Sequence, residues 1–407
     1  IANRSILVIW TDLRSAIRGS FRAVSDREVI SLRAQRLPMH IKSSFFLILS
    51  FCVFLFGAIQ SCLGEEIFDQ TLEGLNLQNI QQLTFSYLGF ERAGEAYFSP
   101  DGQTIIFQAI PNGKAHYQIY TMGLSEGVPM MVSTGKGACT CAYFRPDGQK
   151  IIFASSHEDP DLDQQMAKAP NSQKTQTGNY KWDLTPYMNI YEANPDGTDL
   201  IPLTNGPAYH AECAYSHDGL SIVYASNEDG SMNIYTMKAD GSDKKQITHT
   251  DYCYNGGPFF SPDKEKIIFR ADRNLPDYLQ IYLINSDGTN ERQLTFNNAV
   301  NWAPYWHSNG KVIAFTTSLH GHQHYEIYLL NIENGRQLRL THSPTFDGLP
   351  VFNHDGKKMM WTSKRGIDNT SQIFIADFTM PQAVITQNSP ELAYSSNVRI
   401  VNSGLSV

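Results

Sequence analysis

Short apolar runs of five or six residues recur along the chain, and polar turns rich in Gly, Asn, Asp and Pro separate them. The most regular feature is a six-residue phrase that occurs six times. Its copies are YFSPDG at 97, YFRPDG at 143, AYSHDG at 214, FFSPDK at 259, YWHSNG at 305 and VFNHDG at 351. Successive copies are 46, 71, 45, 46 and 46 residues apart, which indicates one repeating structural unit.

Each phrase is followed by further β-type segments in a fixed order. The second segments are TIIFQA at 104, KIIFAS at 150, SIVYAS at 221, KIIFRA at 266, VIAFTT at 312 and KMMWTS at 358. The third segments are QIYTMG at 118, NIYEAN at 189, NIYTMK at 233, QIYLIN at 280, EIYLLN at 326 and QIFIAD at 372. A fourth, shorter segment follows in five of the six repeats. Four short strands recurring every ~45 residues are typical of a β-propeller blade.

The two ends of the array indicate how it closes. No fourth segment directly follows QIFIAD at 372, whereas an unpaired fourth segment, QLTF at 82, precedes the first repeat. Pairing that strand with the last repeat would leave no open sheet edge. We therefore predict an all-β fold: a six-bladed β-propeller of four-stranded antiparallel blades over 81–378, closed by an N-terminal strand completing the last blade. A short linker at 65–80 and a poorly ordered tail at 379–407 flank it; VIT at 384–386 is an alternative closing strand.

The first 64 residues differ in composition from the rest. Residues 1–38 contain seven Arg and no Lys, and Phe45–Ile59 is a run of fifteen residues without a charge. That run is short for a membrane-spanning helix, which needs about 20 apolar residues. A short basic segment before the run and small residues after it are typical of a secretory signal peptide. We predict a signal peptide at 39–64, after an upstream or leader segment, and hence a periplasmic or secreted protein. Cys62 is a candidate lipid acceptor, and lipidation there is the only membrane attachment that we expect.

The repeat resembles a known one. The phrase xFSPDGxxIxF…IYxMxxDGxxxxQLT looks like the TolB-type propeller repeat, a relative of the WD repeats, and the resemblance covers residues 81–378. The resemblance implies an exported scaffold of the bacterial cell envelope, with a transport-associated role like that of TolB. The same repeat also occurs in peptidase propellers and in uncharacterised exported proteins. TolB itself carries a separate α/β domain before its propeller, whereas here about 16 residues separate the predicted signal peptide from the first strand.

Charge narrows the class of partner. The chain carries a net charge of −8, and because its first 64 residues are basic, residues 65–407 carry −13. This balance argues against nucleic acid and favours an envelope protein or peptide of basic character. We expect a monomer, and we predict neither a cofactor nor a metal.

Blade geometry assigns the loops to two faces. Strands alternate in direction, so loops from fourth to first strands share a face with loops from second to third strands. The opposite face carries short, repeated Asp-Gly turns, which we interpret as structural. The first face is varied in sequence, and we expect it to form the mouth of the central channel. Its candidate binding residues are Arg92, Glu95, Cys139, Cys141, His210, Glu212, Asp251, Asn255, Asn301, Trp302 and Asp347.

Several alternatives stay open. The channel mouth could bind a basic peptide or protein loop, or its polar groups could bond only to one another and to water. An insertion in the second blade, within 156–183, is either a mobile flap or a partner site. The alternative function is a metal-assisted lyase or hydrolase acting on carbohydrate at the channel mouth. Four cysteines of the same face either form one disulfide between blades or remain buried thiols: Cys139, Cys141, Cys213 and Cys253.

Overall fold

The computed structural model describes residues 72–162 and 184–386, which belong to one compact unit spanning Glu66–Val407. Within these ranges, 24 strands form six antiparallel sheets of four strands each. Each sheet is one blade, and the blades follow the six repeats in chain order. The predicted six-bladed propeller is therefore confirmed.

The strands occupy four positions in each blade. The innermost strands are β2 (Phe90–Phe98), β6 (Cys139–Phe144), β10 (His210–Tyr215), β14 (Asn255–Phe260), β18 (Asn301–Trp306) and β22 (Asp347–Phe352). The second strands are β3 (Thr104–Pro111), β7 (Ile151–Ser155), β11 (Ser221–Ser226), β15 (Lys266–Ala271), β19 (Val312–Thr317) and β23 (Lys358–Ser363).

The outer half of each blade is built in the same way. The third strands are β4 (Gln118–Gly123), β8 (Asn189–Ala193), β12 (Asn233–Lys238), β16 (Gln280–Asn285), β20 (Glu326–Asn331) and β24 (Gln372–Phe378). The outermost strands are β5 (Pro129–Met131), β9 (Ile201–Pro202), β13 (Lys245–Gln246), β17 (Arg292–Gln293), β21 (Gln337–Arg339) and β1 (Leu77–Gln82). A 3₁₀ turn at Ser86–Leu88 and a short helix, α1, at Gln382–Ile385 are also present.

One large pair of side chains is repeated in the core of every blade. A second-strand residue lies directly opposite an aromatic residue of the third strand, with ring centroids 5.6–6.5 Å apart. Such cross-strand aromatic pairs stabilise a sheet and fix its register. The second-strand members are at most 1% exposed. The pairs are Phe107–Tyr120, Phe153–Tyr191, Tyr224–Tyr235, Phe269–Tyr282, Phe315–Tyr328 and Trp361–Phe374.

The ring closes as predicted, because β1 pairs antiparallel with β24 and completes the sixth blade. The pairing begins at Leu77, before the QLTF segment, where Leu77 is buried at 2% exposure. Beyond the strand, the Ile373 amide donates to the Thr84 hydroxyl over 2.9 Å. The other five blades use the same hydroxyl contact, at Ser133, Thr204, Thr248, Thr295 and Thr341.

This contact gives a test of closure. Thr84→Val should lower the free energy of unfolding by about 1–3 kcal/mol, because it leaves the buried Ile373 amide without an acceptor. Urea unfolding of the full chain measures the change. The matched control is Thr379→Val at an exposed position directly after β24, which should change stability by no more than about 0.5 kcal/mol. Equal stability of wild type and Thr84→Val would contradict this role.

Every innermost strand is interrupted by a bulge. At one position in each of these strands the register shifts and the residue adopts a left-handed φ of 45–57°. This conformation costs about 1–2 kcal/mol in residues other than Gly. We call these six residues the bulge ring: Glu95, Cys141, Glu212, Gly257, Ala303 and Leu349.

Residues after the last strand pack on the fifth blade. Val384 of α1 is 1% exposed, and its carbonyl accepts a hydrogen bond from the Asn331 amide over 3.1 Å. The VIT segment at 384–386 therefore does not form a closing strand. Several predictions lie outside the described residues: the leader, the signal peptide with Cys62, most of the second-blade insertion and the tail after residue 386.

Candidate functional site

A cavity of about 800 Å³ lies at the end of the channel where the fourth-to-first and second-to-third loops meet. All six members of the bulge ring line it. Because a bulge removes its residue from the ladder and re-aims it, the repeated bulges direct these residues toward the axis. The cavity is therefore a product of the same backbone irregularity in all six blades.

Four aromatic side chains close the channel below the cavity. We call Tyr97, Tyr143, Phe259 and Tyr305 the aromatic plug. Their contacting rings have centroids 5.0–6.2 Å apart, and the Tyr143 and Tyr305 hydroxyls are 3.0 Å apart. A separate cavity of about 70 Å³ lies on the turn-rich side of these rings. The larger cavity is thus blind, with its opening on the loop-rich face.

A buried ion pair lies on one wall of the cavity. The Glu212 side chain accepts hydrogen bonds from the Arg270 guanidinium at 2.9 Å and from the Tyr254 hydroxyl at 2.7 Å. Its second oxygen accepts from the Gly257 amide. The Glu212 side chain is 5% exposed and that of Arg270 is 14% exposed. The charge of Glu212 is therefore compensated within the wall.

Glu95 lies near this pair without joining it. Its carboxylate accepts a long hydrogen bond of 3.4 Å from the Tyr97 hydroxyl and lies beside the Cys141 thiol. Burial, and after it the negative charge of Glu212, raises the pKa of Glu95 to about 7. No ion pair within 4 Å joins Glu95 to a cation among the described residues. A carboxylate in this position is costly to charge unless a ligand supplies a cation.

Aromatic rings and guanidinium groups form the rest of the wall. The Arg270 guanidinium lies 5.6 Å from the Tyr254 ring centroid and 6.0 Å from that of Trp302. Nearer the opening, exposed Arg92 lies 5.3 Å from the Tyr117 ring. Arg and large aromatic side chains are the residue types most enriched at binding surfaces.

The cavity brings together five of the eleven residues proposed from the sequence. These are Arg92, Glu95, Cys141, Glu212 and Trp302. Asp251 is exposed in the loop before β14 and does not line the cavity.

The remaining five start innermost strands and bond within their own blade or to the preceding blade. Each is at most 1% exposed: Cys139, His210, Asn255, Asn301 and Asp347. His210 bonds to the Ser226 hydroxyl over 2.9 Å, and Asn301 donates to the Gln280 side chain over 3.0 Å. In a regular strand, residues two apart share a face, but the bulge breaks this rule. These five therefore point away from the cavity.

Asp347 is part of a buried ionic network at the closing blade. Arg365 forms ion pairs with both Asp347 and Glu73, the latter from the segment before β1. The Trp361 indole donates to Asp347 over 3.2 Å, and the Arg365 guanidinium lies 5.3 Å from the same ring. Burial raises the pKa of Asp347 despite the neighbouring guanidinium. The network joins the N-terminal segment to the innermost strand of the sixth blade.

Two features of the cavity escaped the sequence reasoning. The residues equivalent to Arg270 in the other second strands are small or neutral, such as Ala154 and Thr316. A single arginine at this repeat position could therefore have been recognised in the sequence as a candidate site residue. The aromatic plug consists of the first letters of the repeated phrase in four blades. The sequence shows these aromatic residues, but it does not predict that their rings contact one another across the channel axis.

The thiols and histidines of this face form no metal cluster. Cys139, Cys141, Cys213 and Cys253 are free thiols, so none forms a disulfide with another. The three histidines of HGHQH at 320–324 bond to separate partners. Within 72–162 and 184–386, no group of three or more His, Cys, Asp or Glu could hold a metal ion. In the same ranges, no helix has the length and apolarity to span a bilayer.

Parts of this chain are similar in sequence to known proteins. An uncharacterized protein of Agrobacterium fabrum is 30% identical over 109 residues, covering 27% of this chain and 36% of the relative. The Tol-Pal system protein TolB of Francisella tularensis is 28% identical over 139 residues, covering 30% and 31% respectively. The chain thus spans about a third of the length of the curated relatives it matches.

Solved structures that align with this chain are more distant in sequence. TolB from Acinetobacter baumannii aligns with a TM-score of 0.46 and 17% identity, covering 70% of this chain and 63% of that one. Oligogalacturonate lyase from Vibrio parahaemolyticus aligns with a TM-score of 0.47 and 13% identity, covering 75% and 94%. Residues 205–325 match the family model described as TolB beta propeller domain. The six repeats of this chain thus form a six-bladed β-propeller, and its residues 205–325 are similar to the TolB beta propeller domain.

Proposed function

We propose that this protein is an exported scaffold of the cell envelope that binds a protein or peptide in the cavity of its loop-rich face. The observation that carries the proposal is the blind cavity of about 800 Å³, which combines carboxylates with aromatic walls. Its volume is in the range of specific ligand sites. A side chain or a short loop of a partner would fit it.

The relatives support the envelope setting. TolB proteins of the Tol-Pal system share the repeat, so a periplasmic location and an envelope protein as partner are the natural extension to this chain. The negative charge of residues 65–407 favours a partner of basic character. A secreted or lipid-anchored form, a transport-associated role and a monomeric state belong to the same proposal. The alternative, a metal-assisted lyase or hydrolase, gains no support from the described residues, which lack a metal-binding cluster.

A site-specific crosslink tests the proposal. Tyr252 projects fully exposed beside the opening, so a photoreactive phenylalanine analogue at this position should capture the partner in cells that export the protein. The matched control places the analogue at Leu220, which is 66% exposed and adjoins a turn of the opposite face. Adding Trp302→Ala to the Tyr252 variant should weaken capture, because it removes part of the cavity wall.

The outcome is read from crosslinked bands. A band specific to position 252 that fades with Trp302→Ala supports binding at the cavity. Equal bands at positions 252 and 220, or no envelope protein captured at 252, would contradict the proposal.

A further inference from the structure

The innermost charges of the cavity are unequally compensated. Glu212 has a guanidinium, a phenol and a backbone amide as partners, whereas Glu95 has a long bond to a phenol and contact with a thiol. We infer that the group entering this cavity is a single organic cation, an ammonium or guanidinium of the bound peptide, with Glu95 as its counter-charge. The inference rests on the peptide-binding role proposed above and names the chemistry of that site.

The walls favour an organic cation over a metal ion. Trp302, Tyr254 and the plug ring Tyr97 line the same space as Glu95, and the faces of such rings attract alkylammonium and guanidinium groups. A hard metal ion such as Ca²⁺ requires about six to eight oxygen ligands. Within 72–162 and 184–386, no set of three or more His, Cys, Asp or Glu is arranged to provide them.

The depth of the cavity favours insertion of one group. Because the aromatic plug closes the channel, a peptide cannot pass through, and only a side chain or a chain terminus can approach Glu95. Lysine and arginine suit this geometry, since their apolar stems pack against aromatic walls while the charged end stays polar.

Charges near the opening are balanced, so they do not decide the sign of the ligand. Arg92 and Lys364 line the cavity with Asp272 and Asp277. Two basic and two acidic side chains leave no net charge among these four. The sign is therefore set deeper, where Glu95 lacks a cation of its own.

Three small probes test the inference on the full exported protein. N-acetyl-lysine amide and N-acetyl-arginine amide carry the cation, and N-acetyl-norleucine amide carries a similar stem without it. Ligand-observed NMR titration should give an affinity for the lysine or arginine probe about tenfold above that for the norleucine probe. Glu95→Gln should abolish this preference.

Two further variants separate contact from general charge effects. Glu91→Gln removes a negative charge from an exposed residue of the same strand outside the cavity, and the preference for cations should survive. Glu95→Asp keeps the charge, so it should retain part of the preference. Asp also tolerates the left-handed φ of this position, so we expect Glu95→Asp to fold. Its binding therefore shows whether a loss in Glu95→Gln comes from the missing charge or from a folding defect.

Lowering the pH should weaken binding of the lysine probe. The charged and titratable groups facing Glu95 are Glu212, Arg270, Cys141, Cys213, Tyr97 and Tyr117. Because burial and Glu212 raise the pKa of Glu95 to about 7, its carboxylate becomes neutral as the pH falls through that value. Affinity should therefore drop between about pH 8 and pH 6, while Glu95→Gln should show weak binding throughout.

Three results would overturn the inference: equal binding of the norleucine and lysine probes, no binding of either cationic probe, or unchanged cation preference in Glu95→Gln. Binding of Ca²⁺ that depends on Glu95, without binding of the cationic probes, would identify a metal site instead. If the crosslink at position 252 persists in any of these cases, only the cation chemistry fails. If that crosslink is also absent, the peptide-binding role fails with it.

Discussion

Arg365→Met should lower the free energy of unfolding by about 3–5 kcal/mol, which is the usual cost of removing one partner from a buried ionic network. Arg365 is the cation between Glu73 and Asp347, whose side chains are 7% and 0% exposed. Without it, two buried carboxylates would remain close together and lack a counter-charge. Since Glu73 precedes the closing strand, the loss should also weaken closure of the ring.

Urea unfolding of the full chain measures the effect of Arg365→Met. The matched control is Lys358→Met, which breaks an exposed ion pair with Asp377 in the same blade. Exposed pairs contribute about 0–1 kcal/mol, so the control should be nearly neutral. Similar losses in both variants would show that the Arg365 network has no special role in stability.

Glu326→Gln should make the protein more stable at alkaline pH. Glu326 is fully buried at the start of β20, and its carboxylate accepts hydrogen bonds from Arg339 at 2.9 Å and Thr341 at 2.5 Å. Burial, and after it the charge of Asp347, raises the pKa of Glu326 to about 8. The corresponding residues of the other blades are neutral amides: Gln118, Asn189, Asn233, Gln280 and Gln372.

The sign follows from proton binding in the two states. The folded protein holds the Glu326 proton more tightly than the unfolded chain, so this group favours folding at low pH. That contribution is lost as the pH rises from the ordinary value of 4.5 through about 8. Glu326→Gln removes the titration, and we expect a gain of about 2–4 kcal/mol near pH 9, after discounting the weakened Arg339 bond.

Unfolding free energies near pH 5 and pH 9 test this expectation. The gain should be confined to the alkaline measurement, where wild type has to bury a charge. Glu265→Gln is the control, because Glu265 is exposed at the end of a turn and should leave the pH profile unchanged. A Glu326→Gln profile parallel to that of wild type would contradict the argument.

The fold could be predicted from the sequence because the strand segments that determine it are local and repeated. The strand after each phrase carries one large ring, as in Phe107 or Trp361, and the next strand places an aromatic opposite it. The closing strand was readable because QLTF had no partner before the first repeat. The start of this strand at Leu77 could not be predicted. A shift in the pairing register between Gln78 and Gln81 interrupts the alternation of buried and exposed residues.

The site was readable only in part, because its geometry depends on the bulges. Alignment of the repeats placed Glu95 and Glu212 at one position, and the structure brings both into the cavity. It could not show that His210 and Asn301, two residues before that position, bond to other strands instead of lining the cavity. A two-residue period holds in a regular strand and fails across a bulge. The partner of Glu212, Arg270, comes from another blade, which spacing alone does not connect.

The order of residues around the bulge ring makes the two sides of the cavity chemically different. Blades one to three contribute Glu95, Cys141 and Glu212, whereas blades four to six contribute Gly257, Ala303 and Leu349. One half of the circle is thus polar and the other is apolar. A bound group would meet unlike surfaces on its two sides and would be held in one rotational orientation about the propeller axis. Since bulge residues stand outside the ladder, exchanging them would rotate or reverse that preference without altering strand pairing.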